Sequence, residues 1–163
     1  MWQKYFGPNA TIIGIDIMPQ CKSYESPNVH VRIGSQSETR FLDSLIQEFG
    51  VPDIILDDGS HQQTDILTTF QYLYPKMHKN GVYMIEDLHT SYWPEYGGNL
   101  NHPGSFVEFT KKNIDKLNAV HWRQMYPSDS FTEETLAISC YDSIICYEKG
   151  NVSWKKPIQI LGT

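Results

Sequence analysis

The sequence predicts an α/β protein whose mostly parallel sheet is closed by an antiparallel hairpin near the C-terminus. Short apolar runs rich in β-branched residues alternate with segments of helical periodicity, an order typical of βαβ units. Two of these runs are almost continuously apolar, which indicates strands covered on both faces. The segment 135–150 then holds two more β-rich runs around "YDS", which predicts the hairpin.

The elements before the hairpin can be placed in order. Four strands are predicted, at "TIIGIDI" (11–17), "VHVRI" (29–33), "DIILD" (53–57) and "GVYMIE" (81–86). Apolar residues at helical spacing predict helices between them, over 38–49 and 61–78. Ser60 followed by Gln63 has the spacing of a capping box, which indicates the start of the second helix. Ser105 and Glu108 form another such box, ahead of a third helix that runs to about 118.

Length, composition and charge favour a single domain over residues 1–163. The net charge of −6 and the absence of a long basic run argue against nucleic acid or an anionic membrane as partners. No window approaches a membrane span, and the N-terminus lacks the apolar core of a signal peptide, so we expect a cytoplasmic protein. The three cysteines form no C-x-x-C pair, so neither a disulfide framework nor a thiolate zinc site is indicated.

Polar residues collect at the predicted carboxyl ends of the strands, where open α/β sheets bind ligands. Asp16 ends the first strand, and Ser35 and Gln36 follow the second. The third strand ends in Asp57-Asp58, and the fourth in Glu86-Asp87. If the third and fourth strands are neighbours, the two acidic pairs meet. An acidic residue ending a strand after a nucleotide-binding loop commonly holds a ribose diol, which is one reading of Asp16.

Four carboxylates in one place would repel each other unless a cation held them. Oxygen ligands favour a hard ion, magnesium first and then manganese or calcium. Because successive side chains on a strand point to opposite faces, Asp57 and Asp58 are expected to differ in role, one facing a cofactor and the other the metal. The alternative is structural, since acidic residues at strand ends often cap helices or complete turns.

His61 and an aromatic segment complete the candidate site. We expect His61 in the first turn of the second helix, where the helix dipole favours a neutral imidazole that could act as a general base beside a metal. In "LHTSYWPEYGG" (88–98), Tyr92, Trp93 and Tyr96 could stack on a substrate ring, with Gly97-Gly98 as a lid hinge, or could simply anchor the loop to the core. His89 is the histidine nearest the expected metal and could support its ligands.

"DDGSH", followed 28 positions later by "IEDLHTSYWPEYGG", resembles the metal-dependent sugar O-methyltransferases of macrolide biosynthesis, the mycinamicin VI 2''-O-methyltransferase type, and more distantly macrocin O-methyltransferase. The resemblance implies a class I, Rossmann-like methyltransferase fold that uses S-adenosylmethionine and Mg²⁺. It also implies residue roles. Asp58, Glu86 and Asp87 would be the magnesium ligands, and His61 would be the base. Asp16 would bind the ribose hydroxyls. Ser35 and Gln36 would lie near the adenine, and Asp57 would lie near the methionine end.

In that family the first strand and its glycine-rich cofactor loop would lie before "MWQKYFGPN", as would an auxiliary domain. The expectation is therefore an N-terminally truncated domain that lacks the first, central strand. Three arrangements would follow: a fragment of a longer protein, a strand supplied by a partner chain, which makes a homo-oligomer possible, or direct pairing of the strands that carry Asp16 and Asp57.

Three functions are weighed. The leading hypothesis is methyl transfer from S-adenosylmethionine to a hydroxyl of a sugar or similar small molecule in natural-product biosynthesis, with Tyr92 and Trp93 against the substrate. A non-catalytic domain that retains the fold is the alternative, favoured by the missing glycine-rich loop. A metal-dependent hydrolase with His61 as base comes third, because no phosphate loop or nucleophile motif is recognisable.

Overall fold

In residues 1–122 and 129–152, the parts of the chain that the computed structural model describes, six strands form two sheets. The first sheet is a parallel pair, and the second has four strands. The chain divides into two compact units, one covering Met1–Glu48 and the other beginning at Phe49. No helix in the described ranges is long and apolar enough to cross a membrane.

The first unit is built around the parallel pair. Its elements are α1 (Trp2–Phe6), β1 (Ile12–Asp16), a 3₁₀ helix (Pro19–Tyr24), β2 (Val29–Ile33) and α2 (Thr39–Phe49), whose last residue begins the second unit. The pair runs in register from Ile12 beside Val29 to Asp16 beside Ile33. The residue after β2 is Gly34, which lies against the Phe41 ring. A Cβ at this position would lie 2.6 Å from that ring, so a larger residue would not fit without a shift.

The second unit carries the four-stranded sheet in the order β3-β4-β6-β5. Its strands are β3 (Ile54–Asp57), β4 (Val82–Ile85), β5 (Thr135–Tyr141) and β6 (Ile144–Lys149). Its helices are α3 (Gln63–Leu73), α4 (Phe106–Leu117) and α5 (Ser130–Glu134), with 3₁₀ turns at Tyr74–Lys76, Leu88–Tyr92, Pro94–Tyr96 and Ala119–His121. β3 and β4 are parallel, whereas β6 pairs antiparallel with both β4 and β5.

Aromatic side chains form the core of the second unit. The Phe70 ring of α3 lies 4.6 Å from Tyr147, 5.0 Å from Tyr83 and 5.3 Å from Phe106, measured between centroids. Each such pair contributes about 0.5–1.5 kcal/mol beyond its buried area. Burial raises the pKa of Tyr147 to about 12, and its hydroxyl donates to Thr110 Oγ1 at 2.8 Å. The helices are thereby fixed against one face of the sheet, which holds the strand ends in place.

The four strands predicted before the hairpin are confirmed to within one residue at each end, and so are the hairpin and the third helix. The second helix differs at its start. It begins at Gln63 with Gln62 as N-cap, and the Ser60 hydroxyl instead donates to Asp65 Oδ2 at 2.7 Å. The predicted capping box of Ser60 and Gln63 is therefore wrong. The helix also turns into a 3₁₀ helix at Tyr74, because Pro75 follows and has no N–H to continue the α-helical ladder.

The strands of Asp16 and Asp57 do not pair. β1 pairs with β2, and β3 pairs with β4, so the two acidic strand ends belong to different sheets.

Replacing Ser105 with Ala tests the cap of α4. The Ser105 hydroxyl accepts from the Glu108 N–H at 3.3 Å, as the capping-box spacing predicts. We expect S105A to lower the free energy of unfolding by about 1 kcal/mol in urea titrations. Ser44→Ala, at an exposed position in α2, is the matched control and should change it by less than about 0.5 kcal/mol. Equal effects would show that the cap adds nothing.

Candidate metal and acceptor site

The parallel pairing of β3 and β4 brings the two acidic pairs together. Asp57 lies beside Ile85 in the register, and the Glu86 N–H donates to the Asp57 carbonyl at 3.0 Å. Both strands therefore end at the same level of the sheet. Asp58 follows Asp57, and Asp87 follows Glu86. These two carboxylates lie close together at this edge of the sheet, as the sequence predicted.

The backbone at this edge takes a rare conformation on both sides. His61 has a φ of 57° and Asp87 a φ of 53°, in the left-handed region that residues other than glycine seldom occupy. Such conformations persist only where neighbouring contacts hold them. The placement of His61 in the first turn of the helix is wrong. His61 precedes the N-cap residue Gln62, and its imidazole lies within 4 Å of Asp58 and Asp87.

Asp58, His61 and Asp87 form a cluster. His61 Nε2 lies 3.9 Å from Asp58 Oδ1 and 3.8 Å from Asp87 Oδ2, and one ligand atom from each residue lies within 4.8 Å of the others. The two carboxylates are about half exposed and the imidazole is 24% exposed, so solvent reaches all three. Two carboxylate oxygens open to water are donors that suit a hard divalent cation such as magnesium. Glu86 lies outside this cluster in the part of the chain that the structure describes.

Asp57 and Asp58 lie in different surroundings, as strand alternation predicts. Asp57 is 7% exposed, and its Oδ2 accepts from the Tyr83 hydroxyl at 3.2 Å. The buried Tyr83 belongs to the aromatic core, and its pKa is raised by burial and by the neighbouring carboxylate. Asp57 therefore links the candidate site to the core, whereas Asp58 is exposed at the surface of the site.

His89 is held by a residue that the sequence did not single out. His89 Nδ1 lies 2.7 Å from Ser143 Oγ and 4.0 Å from Asp87 Oδ1. Ser143, in the turn between β5 and β6, also accepts from the His89 N–H through its hydroxyl and from the Leu88 N–H through its carbonyl. The hairpin turn thus fixes the segment that follows Asp87. No local pattern relates residues 54 positions apart, so the sequence carried no signal of this contact.

Aromatic rings flank the cluster. Trp93 is 44% exposed, and its ring lies 4.6 Å from His89 and 6.0 Å from Tyr96, between centroids. Tyr96 in turn lies 6.4 Å from His61. Tyr92 is similarly exposed. Trp93 and Tyr96 therefore lie next to the two histidines.

Gly98 is required where this aromatic segment closes. A Cβ at this position would lie 2.4 Å from the Ser91 carbonyl oxygen, and the Gly98 N–H donates to the Trp93 carbonyl at 2.9 Å. Close backbone approach therefore explains the glycine here, and Gly97 takes a left-handed φ of 76°. The lid hinge expected from this pair of glycines is not needed to account for either residue.

The first unit carries Asp16, Ser35 and Gln36, three of the four residues predicted to face S-adenosylmethionine. Asp16 Oδ1 accepts from the Met18 N–H at 2.8 Å, and this bond, with a second from the Cys21 thiol, holds the pKa of Asp16 below its ordinary value. An ionised carboxylate at a strand end can accept hydrogen bonds from vicinal hydroxyls. Ser35 lies 3.0 Å from Ser37 between hydroxyl oxygens, and it follows β2 together with the half-buried Gln36.

Replacing Asp87 with Asn tests the cluster as a cation site. Removing a group that only supports a metal ligand typically weakens metal binding by roughly 10–100-fold. Because Asp87 is proposed as a ligand itself, we expect D87N to weaken Mn²⁺ binding by at least that factor. Metal-free D87N should be as stable as wild type or more so, because a repelling charge is removed. Calorimetric titration with Mn²⁺ measures the first effect and urea unfolding the second.

Two further variants complete that experiment. Asp115→Asn, on the exposed face of α4, should bind Mn²⁺ like wild type. Glu86→Ala should weaken binding if this carboxylate joins the cluster when a cation is present. Unchanged Mn²⁺ affinity in D87N would show that the cluster is not a cation site.

Comparisons with known proteins point to one class of enzyme. The chain matches no protein-family profile. It is 36% identical over 129 residues to the 8-demethyl-8-alpha-L-rhamnosyl tetracenomycin-C 2'-O-methyltransferase of Streptomyces olivaceus, covering 78% of this chain and 32% of that protein. It is 31% identical over 159 residues to the mycinamicin VI 2''-O-methyltransferase of Micromonospora griseorubida, covering 92% of this chain and 38% of that protein.

Solved structures agree with the sequence relatives. The MycE methyltransferase of the mycinamycin pathway, in complex with Mg, SAH and mycinamycin VI, superposes with a TM-score of 0.87 at 27% identity, over 99% of this chain and 42% of that one. A second MycE structure with Mg and SAH gives the same TM-score at 26% identity.

The match therefore extends through both units, and it confirms the predicted α/β methyltransferase-like fold. The chain spans about a third to two fifths of the length of the curated relatives it matches. By sequence and by fold, the protein is a relative of the sugar O-methyltransferases of natural-product pathways.

Proposed function

We propose that the protein takes part in methyl transfer from S-adenosylmethionine to a hydroxyl of a sugar or similar small natural product, with a divalent cation at the acidic edge of the second unit. The observation that carries the proposal is the cluster of Asp58, His61 and Asp87. The fold of this chain is that of MycE, a protein solved with Mg and SAH. The relatives described above are O-methyltransferases by name, and one of them is named for a rhamnosyl compound.

The cation would be held by Asp58 and Asp87, with Glu86 as the third carboxylate. The donor set fits magnesium because it is made of oxygens and leaves room for water or substrate oxygens. Bound there, the ion would lower the pKa of an acceptor hydroxyl and supply charge for its deprotonation. The two carboxylates would balance the charge of the cation.

His61 is assigned the role of general base. Its Nε2 faces both Asp58 and Asp87 at under 4 Å, so a proton taken from the acceptor hydroxyl would be stabilised on the imidazole by the two neighbouring negative charges. A general base typically contributes about 10²–10⁴-fold in rate. The position of the imidazole within the acidic cluster supports this role.

Residues at the ends of β1, β2 and β3 are assigned to the methyl donor. Asp16 would accept hydrogen bonds from the ribose hydroxyls, Ser35 and Gln36 would lie near the adenine, and Asp57 near the methionine end. The donor supplies a methyl group on a positively charged sulfur. The ionised state of Asp16 supports its assignment, since a carboxylate is an acceptor for both hydroxyls of a diol.

The acceptor would rest against the exposed aromatic rings. Tyr92 and Trp93 present apolar faces, and the apolar face of a sugar ring packs well on an aromatic side chain. Tyr96, the third ring of the predicted stacking surface, supports this placement, because it lies 6.0 Å from Trp93 and 6.4 Å from His61 between centroids. A hydroxylated small molecule seated there would lie next to the base and the carboxylates.

Titration calorimetry with S-adenosylmethionine, in the presence and absence of Mg²⁺, tests the proposal directly. We expect binding of the methyl donor and methylation of a sugar hydroxyl that depends on the cation. A folded preparation that binds neither S-adenosylmethionine nor S-adenosylhomocysteine would remove the proposal. Binding of the cation without the donor, and no transfer to any acceptor, would instead favour a non-catalytic domain that retains the fold.

The variant His61→Ala separates a base from a metal ligand. As the base, His61 is needed for proton removal but not for holding the cation. We therefore expect kcat to fall by about 10²–10⁴-fold, with Mn²⁺ affinity close to wild type. His121→Ala, an exposed histidine in a 3₁₀ turn, is the control and should retain full activity. A loss of Mn²⁺ affinity in H61A that matches the loss in D87N would identify His61 as a ligand instead.

A further inference from the structure

A single buried amide bonds to three separate segments around the candidate site. Gln63, the first residue of α3, is 1% exposed. Its Oε1 accepts from the Ser91 hydroxyl and from the Phe106 N–H, both at 2.8 Å. Its Nε2 donates to the His61 carbonyl at 3.2 Å and to Thr90 Oγ1 at 3.3 Å. Two acceptor and two donor positions are all that a glutamine amide has, so its capacity is fully used.

The partners fix which way round the amide lies. A backbone N–H can only donate and a backbone carbonyl can only accept, so the Phe106 N–H requires the oxygen of Gln63 and the His61 carbonyl requires its nitrogen. A flipped amide would place donor against donor and acceptor against acceptor in a site closed to water. The side chain therefore has one orientation, and it imposes that orientation on its partners.

Both left-handed residues of the site are tied to this amide. Gln63 bonds the carbonyl of His61 directly, and it reaches Asp87 through one intermediate, because the Thr90 hydroxyl that accepts from Gln63 also donates to the Asp87 carbonyl at 2.8 Å. His61 and Asp87 are the residues with φ of 57° and 53°. Their side chains face each other at 3.8 Å.

We propose that Gln63 is a positioning residue that sets the spacing between the His61 imidazole and the Asp87 carboxylate by holding the left-handed backbone of both. This inference rests on the proposed function, in which His61 is the base and Asp87 a metal ligand. The donor side of the amide acts on this spacing, toward His61 and Thr90. The acceptor side, toward Ser91 and Phe106, anchors the amide to the core.

Two neighbouring hydroxyls separate positioning from simple packing. Thr90 and Ser91 are both buried, adjacent in sequence and bonded to the same amide. Of these two hydroxyls, only that of Thr90 bonds to the Asp87 carbonyl, which also accepts from the Thr90 N–H at 3.1 Å. Thr90→Val therefore breaks the path from Gln63 to Asp87 and keeps the backbone bond, whereas Ser91→Ala breaks only the anchoring side and leaves Gln63 Oε1 bonded to the Phe106 N–H.

The experiment compares T90V with S91A, and both with Gln63→Met. We expect T90V and Q63M to weaken Mn²⁺ binding by about 10–100-fold, the usual effect of removing a group that orients a ligand. S91A should bind Mn²⁺ within about threefold of wild type. Urea unfolding of metal-free protein is measured alongside, and T90V and S91A are expected to lose comparable stability, since each removes a buried hydroxyl. If Q63M does not fold, the T90V and S91A pair decides alone.

Several outcomes overturn the inference. Mn²⁺ affinity in T90V equal to wild type would do so, and so would equal losses in T90V and S91A, which would reduce Gln63 to a packing role. If wild-type protein binds no Mn²⁺, the proposed metal site fails, and the inference is then judged from metal-free crystal structures of wild type and T90V. An unchanged distance between His61 Nε2 and Asp87 Oδ2 in T90V would overturn it, and a longer distance would support it.

Discussion

The parallel register of β3 and β4 is the constraint on which the candidate site depends. Because Asp57 lies beside Ile85, and the Glu86 N–H bonds to the Asp57 carbonyl, two acidic pairs far apart in sequence leave the sheet at one level. A shift of one residue in either strand would exchange buried and exposed positions. Asp57 would then leave its contact with Tyr83, and Asp58 would turn into the core. The same register thus places the Asp57 carboxylate in the interior and the Asp58 carboxylate at the surface.

The second requirement is a left-handed residue in the segment that follows each of these two strands. His61 and Asp87 take this conformation, which costs a residue other than glycine on the order of 1–3 kcal/mol unless its surroundings hold it. The surroundings here are buried and polar. The Gln63 amide, the Thr90 hydroxyl and the Ser143 turn each bond to backbone groups next to the cluster. The exposed part of the site therefore depends on a hydrogen-bonded layer beneath it, and that layer rests on the aromatic core.

Much of the fold, and half of the site, could be predicted from the sequence. Strand positions follow from apolar runs, and the cap of α4 follows from the spacing of Ser105 and Glu108, because these signals are local. The acidic pairs were found because two of them end strands that were expected to be neighbours in the sheet. The conformation of His61 could not be found in this way. Gly59 stands two residues earlier and is the residue that a local rule would choose for a left-handed turn, whereas a left-handed φ of 57° occurs at His61.

Ser143 and Gln63 were missed for the same physical reason. Each acts through partners more than 25 positions away in the chain, and neither residue type is unusual where it stands. The hairpin turn that carries Ser143 has a consequence for chain length. Turns between antiparallel strands are ordinarily where a protein accepts extra residues without harm. This turn cannot lengthen without withdrawing the carbonyl and hydroxyl that hold Leu88 and His89. Insertions at the end of β5 would therefore reach the acidic edge of the sheet, although the turn lies more than 50 residues away from it in the sequence.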